Sequence, residues 1–285
     1  MTSAIHGFGQ PDFHGLTVAS FESRMAVEMA RLIGRYGGKS LVVPALREIP
    51  LEDNSAALEF GIRLMTGRID MLILLTGAGT IALFELLKMR YPWPSIVEAL
   101  AQTAIVARGP KPAAALRALA LKPTATVPEP NTWVDVVRTV DEHLPVKGLR
   151  VVVQEYGTPN PALLEALQRR GAEVFQVPIY KWALPDDLAP IRHAINEIIA
   201  GRVTVMLITN AAQADHVIQV LEQDGKVELF RSALTKMVVA SIGPTASERL
   251  CHHRWPVDFE PSHPKMGVLV KETSERASSI LDRKR

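Results

Sequence analysis

Short apolar runs recur along the chain, and between them apolar residues return at helical spacing. Gly15 to Ser20 reads as a short buried strand. Ala26, Met29, Ala30 and Ile33 then repeat at a period that predicts a helix over Met25 to Arg35, closed by Gly37 and Gly38. Leu41 to Val43 is the next strand. Asn54 or Ser55 is placed to cap a helix from Ala56 to Met65. A strand over Asp70 to Leu75, a turn over Thr76 to Gly79 and a helix over Ile81 to Met89 follow. Pro92 and Pro94 break the chain before a helix over Ser95 to Gln102. Ala104 to Ala107 is a strand that ends in Arg108-Gly109-Pro110-Lys111-Pro112. A helix over Ala113 to Ala120, a strand near Thr124 to Val127 and a helix from the cap Thr132 to His143 complete this half.

The pattern then restarts. Gly148 to Val153 repeats Gly15 to Ser20, Pro161 to Arg170 repeats the first helix, and Gly201-Arg202 repeats Gly67-Arg68. Both latter pairs lead to a strand ending in Thr, Thr76 or Thr209. Ile242-Gly243-Pro244 repeats Arg108-Gly109-Pro110. The offset stays near 134 positions, slipping by one, which is too long for a solenoid and fits two copies of one α/β unit. Each copy carries an apolar strand that runs into Val-Pro and leaves through a second proline: Gly37 to Asp53, and Gly171 to Asp187. Proline lacks an N–H and keeps its predecessor extended, so these stretches belong at a sheet edge or in a connector. Twin connectors imply two lobes, a cleft between them, and Tyr180 at its mouth. Lys181 and Trp182 are expected on the opposite face of the strand from Tyr180.

At 285 residues the chain is long enough for two domains. With 47% hydrophobic and 22% charged residues it has a globular composition, and the formal charge of +2 makes no case for nucleic acid. The single cysteine, Cys251, excludes an internal disulfide and is expected as a plain helix residue. No apolar run approaches the roughly 20 residues that cross a bilayer. Residues 1–14 lack the features of a secretory signal and read as a loose tail, which makes the cytoplasm the default location.

Strands alternating with helices give parallel sheets, whose ligands gather at the carboxyl ends of the strands. The strand ends to examine are Thr76 to Thr80, Arg108 to Pro112, Gln154 to Gly157, Thr209 to Ala212 and Gly243 to Thr245, and three of them carry candidate chemistry. Thr76-Gly77-Ala78-Gly79 carries the GxGxxA spacing of a dinucleotide site, but Arg108 stands where that site needs an acid. It reads otherwise as a tight strand-to-helix turn or, the preferred reading, as a turn whose N–H groups accept a carboxylate. Arg108 and Lys111 beside a helix N-terminus form an anion site or two solvated charges. Gly243-Pro244-Thr245 presents a hydroxyl at the matching place, unless Thr245 or Ser247 simply caps a helix. His252 and His253 are adjacent and face differently, so they make poor joint metal ligands. Asp186-Asp187 and Glu52-Asp53 read as acidic helix starts.

Taken together, Val43-Pro44, Leu74-Leu75-Thr76-Gly77, the Arg108 to Lys111 turn, Val177 to Trp182, Ile242 to Thr245 and Pro264-Lys265-Met266 resemble the uroporphyrinogen-III synthase family, from Leu16 to about Val270. The resemblance implies two flavodoxin-like lobes with parallel sheets joined by a two-stranded linker. The first lobe would be residues 1–43 plus 184–285, the second 54–174, and the connecting strands 44–53 and 175–183. It implies a cofactor-free and metal-free lyase that closes the linear tetrapyrrole hydroxymethylbilane into uroporphyrinogen III with inversion of ring D. It would be a monomer, with hydroxymethylbilane synthase as upstream partner and no nucleic acid or membrane. Tyr180 matches the family's tyrosine that helps the hydroxyl leave. Thr76, Gly77, Ala78, Thr209, Asn210, Gly243, Pro244 and Thr245 match strand-end turns that hold substrate. Arg108, Gly109 and Lys111 are the expected carboxylate contacts.

The chain departs from the family where Ser20-Phe21 replaces Thr-Arg, where Ala246 follows Thr245, and in the Gly-rich turn after Thr76. A non-catalytic bilobed binding protein for an anionic small molecule and an NADP-dependent oxidoreductase are the alternative functions.

Overall fold

The computed structural model describes residues 11–51, 54–155, 157 and 160–285. Glu52, Asp53 and most of the expected tail lie outside the described residues.

The first half runs β1 (Thr17–Ser20), α1 (Ala26–Arg35), β2 (Lys39–Val42), β3 (Arg47–Pro50), α2 (Ser55–Met65), β4 (Met71–Leu74), α3 (Gly77–Lys88) and α4 (Trp93–Leu100). It continues through β5 (Ala104–Ala107), α5 (Pro110–Ala118), β6 (Ala125–Thr126) and α6 (Trp133–His143). The second half runs β7 (Arg150–Gln154), α7 (Pro161–Arg169), β8 (Glu173–Val177), β9 (Tyr180–Ala183), α8 (Ala189–Ile199) and β10 (Val205–Ile208). It ends with α9 (Ala211–Gln223), α10 (Val227–Leu234), β11 (Val238–Ser241), α11 (Pro244–His252) and α12 (Met266–Lys284).

The chain divides into two compact units, residues 1–47 with 183–285, and residues 48–182. The first holds a parallel sheet in the order β11-β10-β1-β2, the second one in the order β6-β5-β4-β7-β8. Taken as β7, β8, β4, β5, β6, the second sheet has the flavodoxin-like order 2-1-3-4-5, and the first repeats its leading four strands. The duplication is therefore exchanged. Each copy gives its opening β-α-β to one unit and its later strands to the other. β2 and β8, the strands that run into Val-Pro, are the sheet edges their prolines require. β3 and β9 pair as a separate two-stranded sheet.

Period-two alternation builds the cores. Met71 and Ile73 of β4 face one apolar layer with Val136, Val140 and Leu163, while Leu72 and Leu74 face another with Phe60, Leu83 and Phe84. Val205 and Leu207 of β10 pack on α1 and α12, and Met206 and Ile208 on α8 and α9. Each fully buried side chain of this kind contributes about 1.5–3 kcal/mol. At the foot of the second sheet Asp70 Oδ2 accepts from Arg150 N at 2.8 Å and Nε at 2.9 Å, and Oδ1 from Nη2 at 2.7 Å. That fork holds the Asp70 carboxyl down to about 2.

Several local expectations need correction. The Gly-rich turn after Thr76 is the first turn of α3 itself. Pro94 and Pro110 start helices where breaks or loops are expected, because a first-turn proline loses no intrahelical bond. Asn54 stands at the N-cap of α2 with no side-chain cap bond. Neither Thr245 nor Ser247 caps α11, whose N-cap is Gly243. Trp182 lies on the same side of β9 as Tyr180, with rings edge to face at 5.5 Å, since residues two apart in a strand share a face.

Candidate active site

In each sheet the direction of winding reverses at one pair of neighbouring strands, β7 and β4 in the second unit and β1 and β10 in the first. Ligands of open α/β sheets gather at the carboxyl ends of such strands.

In the second unit that edge is built by β4, β7 and β9. Thr76 is the N-cap of α3, and its Oγ1 accepts from Gly79 N at 3.1 Å. Its own N–H donates to Gln154 Oε1 at 3.4 Å. Gln154 is fully buried at the end of β7, and its amide N–H donates to the Glu155 carbonyl. The hydroxyl of Tyr180 lies 3.3 Å from Thr76 Oγ1. Tyr180 is 7% exposed, and its ring packs in the same apolar layer as Ile179 and Val177. The ring of Tyr180 is thus buried within the second unit. Beyond Pro178 both Ile179 and Tyr180 turn inward, and only the hydroxyl reaches the strand-end edge.

The glycines of α3 answer to packing. A Cβ on Gly77 would lie 2.9 Å from the Lys111 carbonyl of α5, and one on Gly79 would lie 2.8 Å from Thr76 Oγ1 and 2.7 Å from Gln154 Cδ. The room a dinucleotide fingerprint leaves for pyrophosphate is filled here by Gln154. The N–H groups of Gly77 and Ala78 point out of the first turn with no intrahelical acceptor. Beside them, Gly109 takes φ +90° after β5, where a side chain would meet Asn131, and α5 opens with Pro110 and the exposed Lys111. Arg108 is half-buried at the strand end.

Glu155 follows Gln154. It is 5% exposed, burial pushes its carboxyl up, and the Asn160 N–H partly offsets that.

In the first unit Asn210 caps α9 by accepting from Ala212 N at 2.9 Å. Asn210, and not Thr209, therefore holds the place that Thr76 holds in the second unit. Thr209 is occupied by its own neighbours. Its N–H donates to Gln213 Oε1 at 3.0 Å, its hydroxyl donates to Glu22 Oε2, and Gln213 Nε2 donates to that hydroxyl at 2.8 Å. Glu22 Oε1 accepts from Met25 N at 3.1 Å, which ties the start of α1 to the end of β10. At the end of β11, Ser241 Oγ accepts from Gly243 N at 3.3 Å and donates to Gly243 O at 3.0 Å. Pro244 and Thr245 follow, exposed in the first turn of α11. Leu46, buried, stands in the first connector where Tyr180 stands in the second.

Sequence reasoning missed Glu22 and Gln213, and it held Glu155 only as part of the Gln154 to Gly157 strand end, without its burial. One signal was available: the offset that carries Gly15 onto Gly148 also carries Glu22 onto Glu155, so both copies place an acid just past their first strand.

His253 Nε2 and Asp215 Oδ1 are 2.7 Å apart across α11 and α9, a packing contact, while Cys251 is an exposed helix residue. Asp187 Oδ1 accepts from Ala189 N at the start of α8. Among the described residues no group of three His, Cys, Asp or Glu side chains is placed to hold a metal, and no helix is long and apolar enough to cross a membrane.

Two flavodoxin-type parallel sheets with polar strand ends at their winding reversals define an α/β protein of the open-sheet class. The chain belongs to the uroporphyrinogen-III synthase family: the family described as "Uroporphyrinogen-III synthase HemD" matches residues 27–271. It is similar to the Bacillus subtilis protein named "Uncharacterized protein YjjA", 23% identical over 263 residues, which cover 92% of this chain and 96% of that protein. In three dimensions it is similar to a mutant uroporphyrinogen III synthase of the extremely thermophilic bacterium Thermus thermophilus. The TM-score is 0.69 at 22% identity, over 95% of this chain and 100% of that one. The uroporphyrinogen-III synthetase of Helicobacter pylori aligns with a TM-score of 0.51 at 14% identity, over 90% and 98% of the two chains.

Proposed function

We propose that this chain closes hydroxymethylbilane into uroporphyrinogen III, inverting ring D, as a lyase that needs no cofactor. Membership of the family supports the substrate class, and the pairing of Tyr180 with Thr76 at the carboxyl edge of the second unit is the observation that carries the reading. Loss of water from the hydroxymethyl group gives an azafulvene. A substituted carbon of ring D attacks it, and the spiro product fragments and recloses. The substrate makes its own electrophile, so the protein's part is to position it and to help the hydroxyl depart.

In this reading the phenol of Tyr180 supplies the proton for the departing oxygen. On the second unit the first-turn N–H groups of Gly77 and Ala78 and the cations Arg108 and Lys111 beside Gly109 receive substrate carboxylates, and on the first unit, taken by itself, the first turn of α11 at Gly243, Pro244 and Thr245 offers groups of the same kind. Asn210 offers the first turn of α9, whereas Thr209 has no donor left to give. The protein acts as a monomer in the cytoplasm on a tetrapyrrole supplied by hydroxymethylbilane synthase.

The test is a coupled assay in which hydroxymethylbilane synthase feeds the purified protein and the isomers are separated after oxidation. The expected result is an isomer III to isomer I ratio above the spontaneous one, with slower turnover in Tyr180→Phe. A ratio equal to the spontaneous value ends the proposal.

A further inference from the structure

Tyr180 is the more deeply placed member of its pair. Its ring lies within the apolar layer of the second unit and its residue is 7% exposed, while Thr76 is half-buried at the strand end. Among the described residues the phenol has one hydrogen-bond partner, Thr76 Oγ1 at 3.3 Å. Thr76 Oγ1 is held from the other side by the Gly79 N–H at 3.1 Å, and its backbone by Gln154 at 3.4 Å. A hydroxyl has one proton and two lone pairs. Either hydroxyl of the Tyr180–Thr76 pair can donate. In the arrangement where Tyr180 O–H donates, one lone pair of Thr76 Oγ1 takes that proton, the other takes Gly79 N–H, and the single proton of Thr76 is left to point toward the strand-end edge.

The geometry points to Thr76 as the group that hands the proton to the departing hydroxyl, with Tyr180 behind it as the source. This rests on the function proposed above and reassigns which atom touches the substrate. The balance is closed. The C–O bond of the hydroxymethyl group breaks and its electron pair leaves with oxygen. That oxygen takes the Thr76 Oγ proton as Thr76 Oγ takes the Tyr180 proton. Water and a phenolate result, beside a protonated azafulvene. The pyrrole N–H of the latter then returns a proton through Thr76 to the phenolate, which leaves the neutral azafulvene and restores both hydroxyls. Gln154 is a positioning residue in this scheme: fully buried, it fixes the backbone of Thr76 and fills the space over Gly79.

Asn caps helices as well as Thr, so Thr76→Asn keeps an acceptor for Gly79 N–H and removes the hydroxyl. Removing a proton donor of this kind costs about 100-fold or more in turnover. The expected result is that Thr76→Asn slows isomer III formation as far as Tyr180→Phe does, that the double variant is no slower than either, and that Thr76→Ser restores the rate. Losses that multiply in the double variant, or full turnover in Thr76→Asn, overturn the relay. A second measurement needs only the native sequence: turnover in mixtures of light and heavy water. Two protons moving together give a curved dependence on deuterium fraction, and a straight line overturns the relay. If the native protein yields only the spontaneous isomer ratio, the proposed function fails and takes this inference with it. If it raises isomer III while Thr76→Asn matches it, only the relay fails.

Discussion

Glu22 and Thr209 lie 187 positions apart in the chain, and the Thr209 hydroxyl donates to Glu22 Oε2. This bond, with those from Gln213 and Met25, closes the carboxyl edge of the first sheet on itself. Thr209→Val removes the donor and leaves a half-buried carboxylate short of a partner, which costs about 1–3 kcal/mol. Chemical denaturation should register that loss, while KM for hydroxymethylbilane stays as in the native protein. A raised KM with native stability would return Thr209 to the substrate site.

In the proposed function Arg108 and Lys111, at the carboxyl end of β5 and the start of α5, meet substrate carboxylates. Arg108→Ala with Lys111→Ala should raise KM severalfold and flatten its dependence on ionic strength, because screening acts on charges that remain near the ligand. Initial rates at low and high salt measure both effects. A KM that does not move removes the pair from the site.

Gly79 has no room for a side chain. Gly79→Ala would press a methyl group against Gln154 and Thr76 Oγ1, and overpacking of this kind costs about 1–3 kcal/mol. The melting temperature should fall, and turnover with it, since the same atoms hold Thr76. Gly148→Ala is the control at the same chemistry: nothing lies within 4 Å of that position, though its φ of +76° still carries backbone strain.

Asp70 is forked by Arg150 and its carboxyl sits at about 2, below the ordinary 3.8. A lowered folded value contributes stability above pH 4 that is lost as pH falls from about 4 toward 2. Asp70→Asn should therefore destabilise the protein at pH 7 and matter progressively less through that window. Denaturation midpoints across the range check it.

Glu155 has the opposite sign. Burial raises its carboxyl above the ordinary 4.5, so the folded state holds the proton after the unfolded state has released it. Stability from this group falls as pH rises above about 4.5. Glu155→Gln should raise the melting temperature at neutral pH and leave it nearly unchanged at pH 4. A variant less stable at pH 7 would mean that the ionised carboxylate is needed.

Much of the architecture was legible because it is written in short-range patterns. Ala104 to Ala107 is a strand in both readings, and Thr132 caps α6 through a capping box with Asp135. Val-Pro at the ends of β2 and near β8 predicted edge strands for a local reason, the missing N–H. The errors are local too. Pro94, Pro110 and Gly77 to Gly79 read as breaks, yet they lie in first turns, where helices tolerate both residues.

The amino-acid sequence by itself determined the order of strands and helices, the duplication and the residues that end each strand, since periodicity and proline geometry act within a few residues. It did not determine that the Tyr180 hydroxyl would meet Thr76 while the Tyr180 ring was buried, nor that Thr209 would be consumed by Glu22. Those partners are distant in the chain. Only the tertiary structure decided them, because the exchange of half-repeats between two sheets sets which strand ends become neighbours.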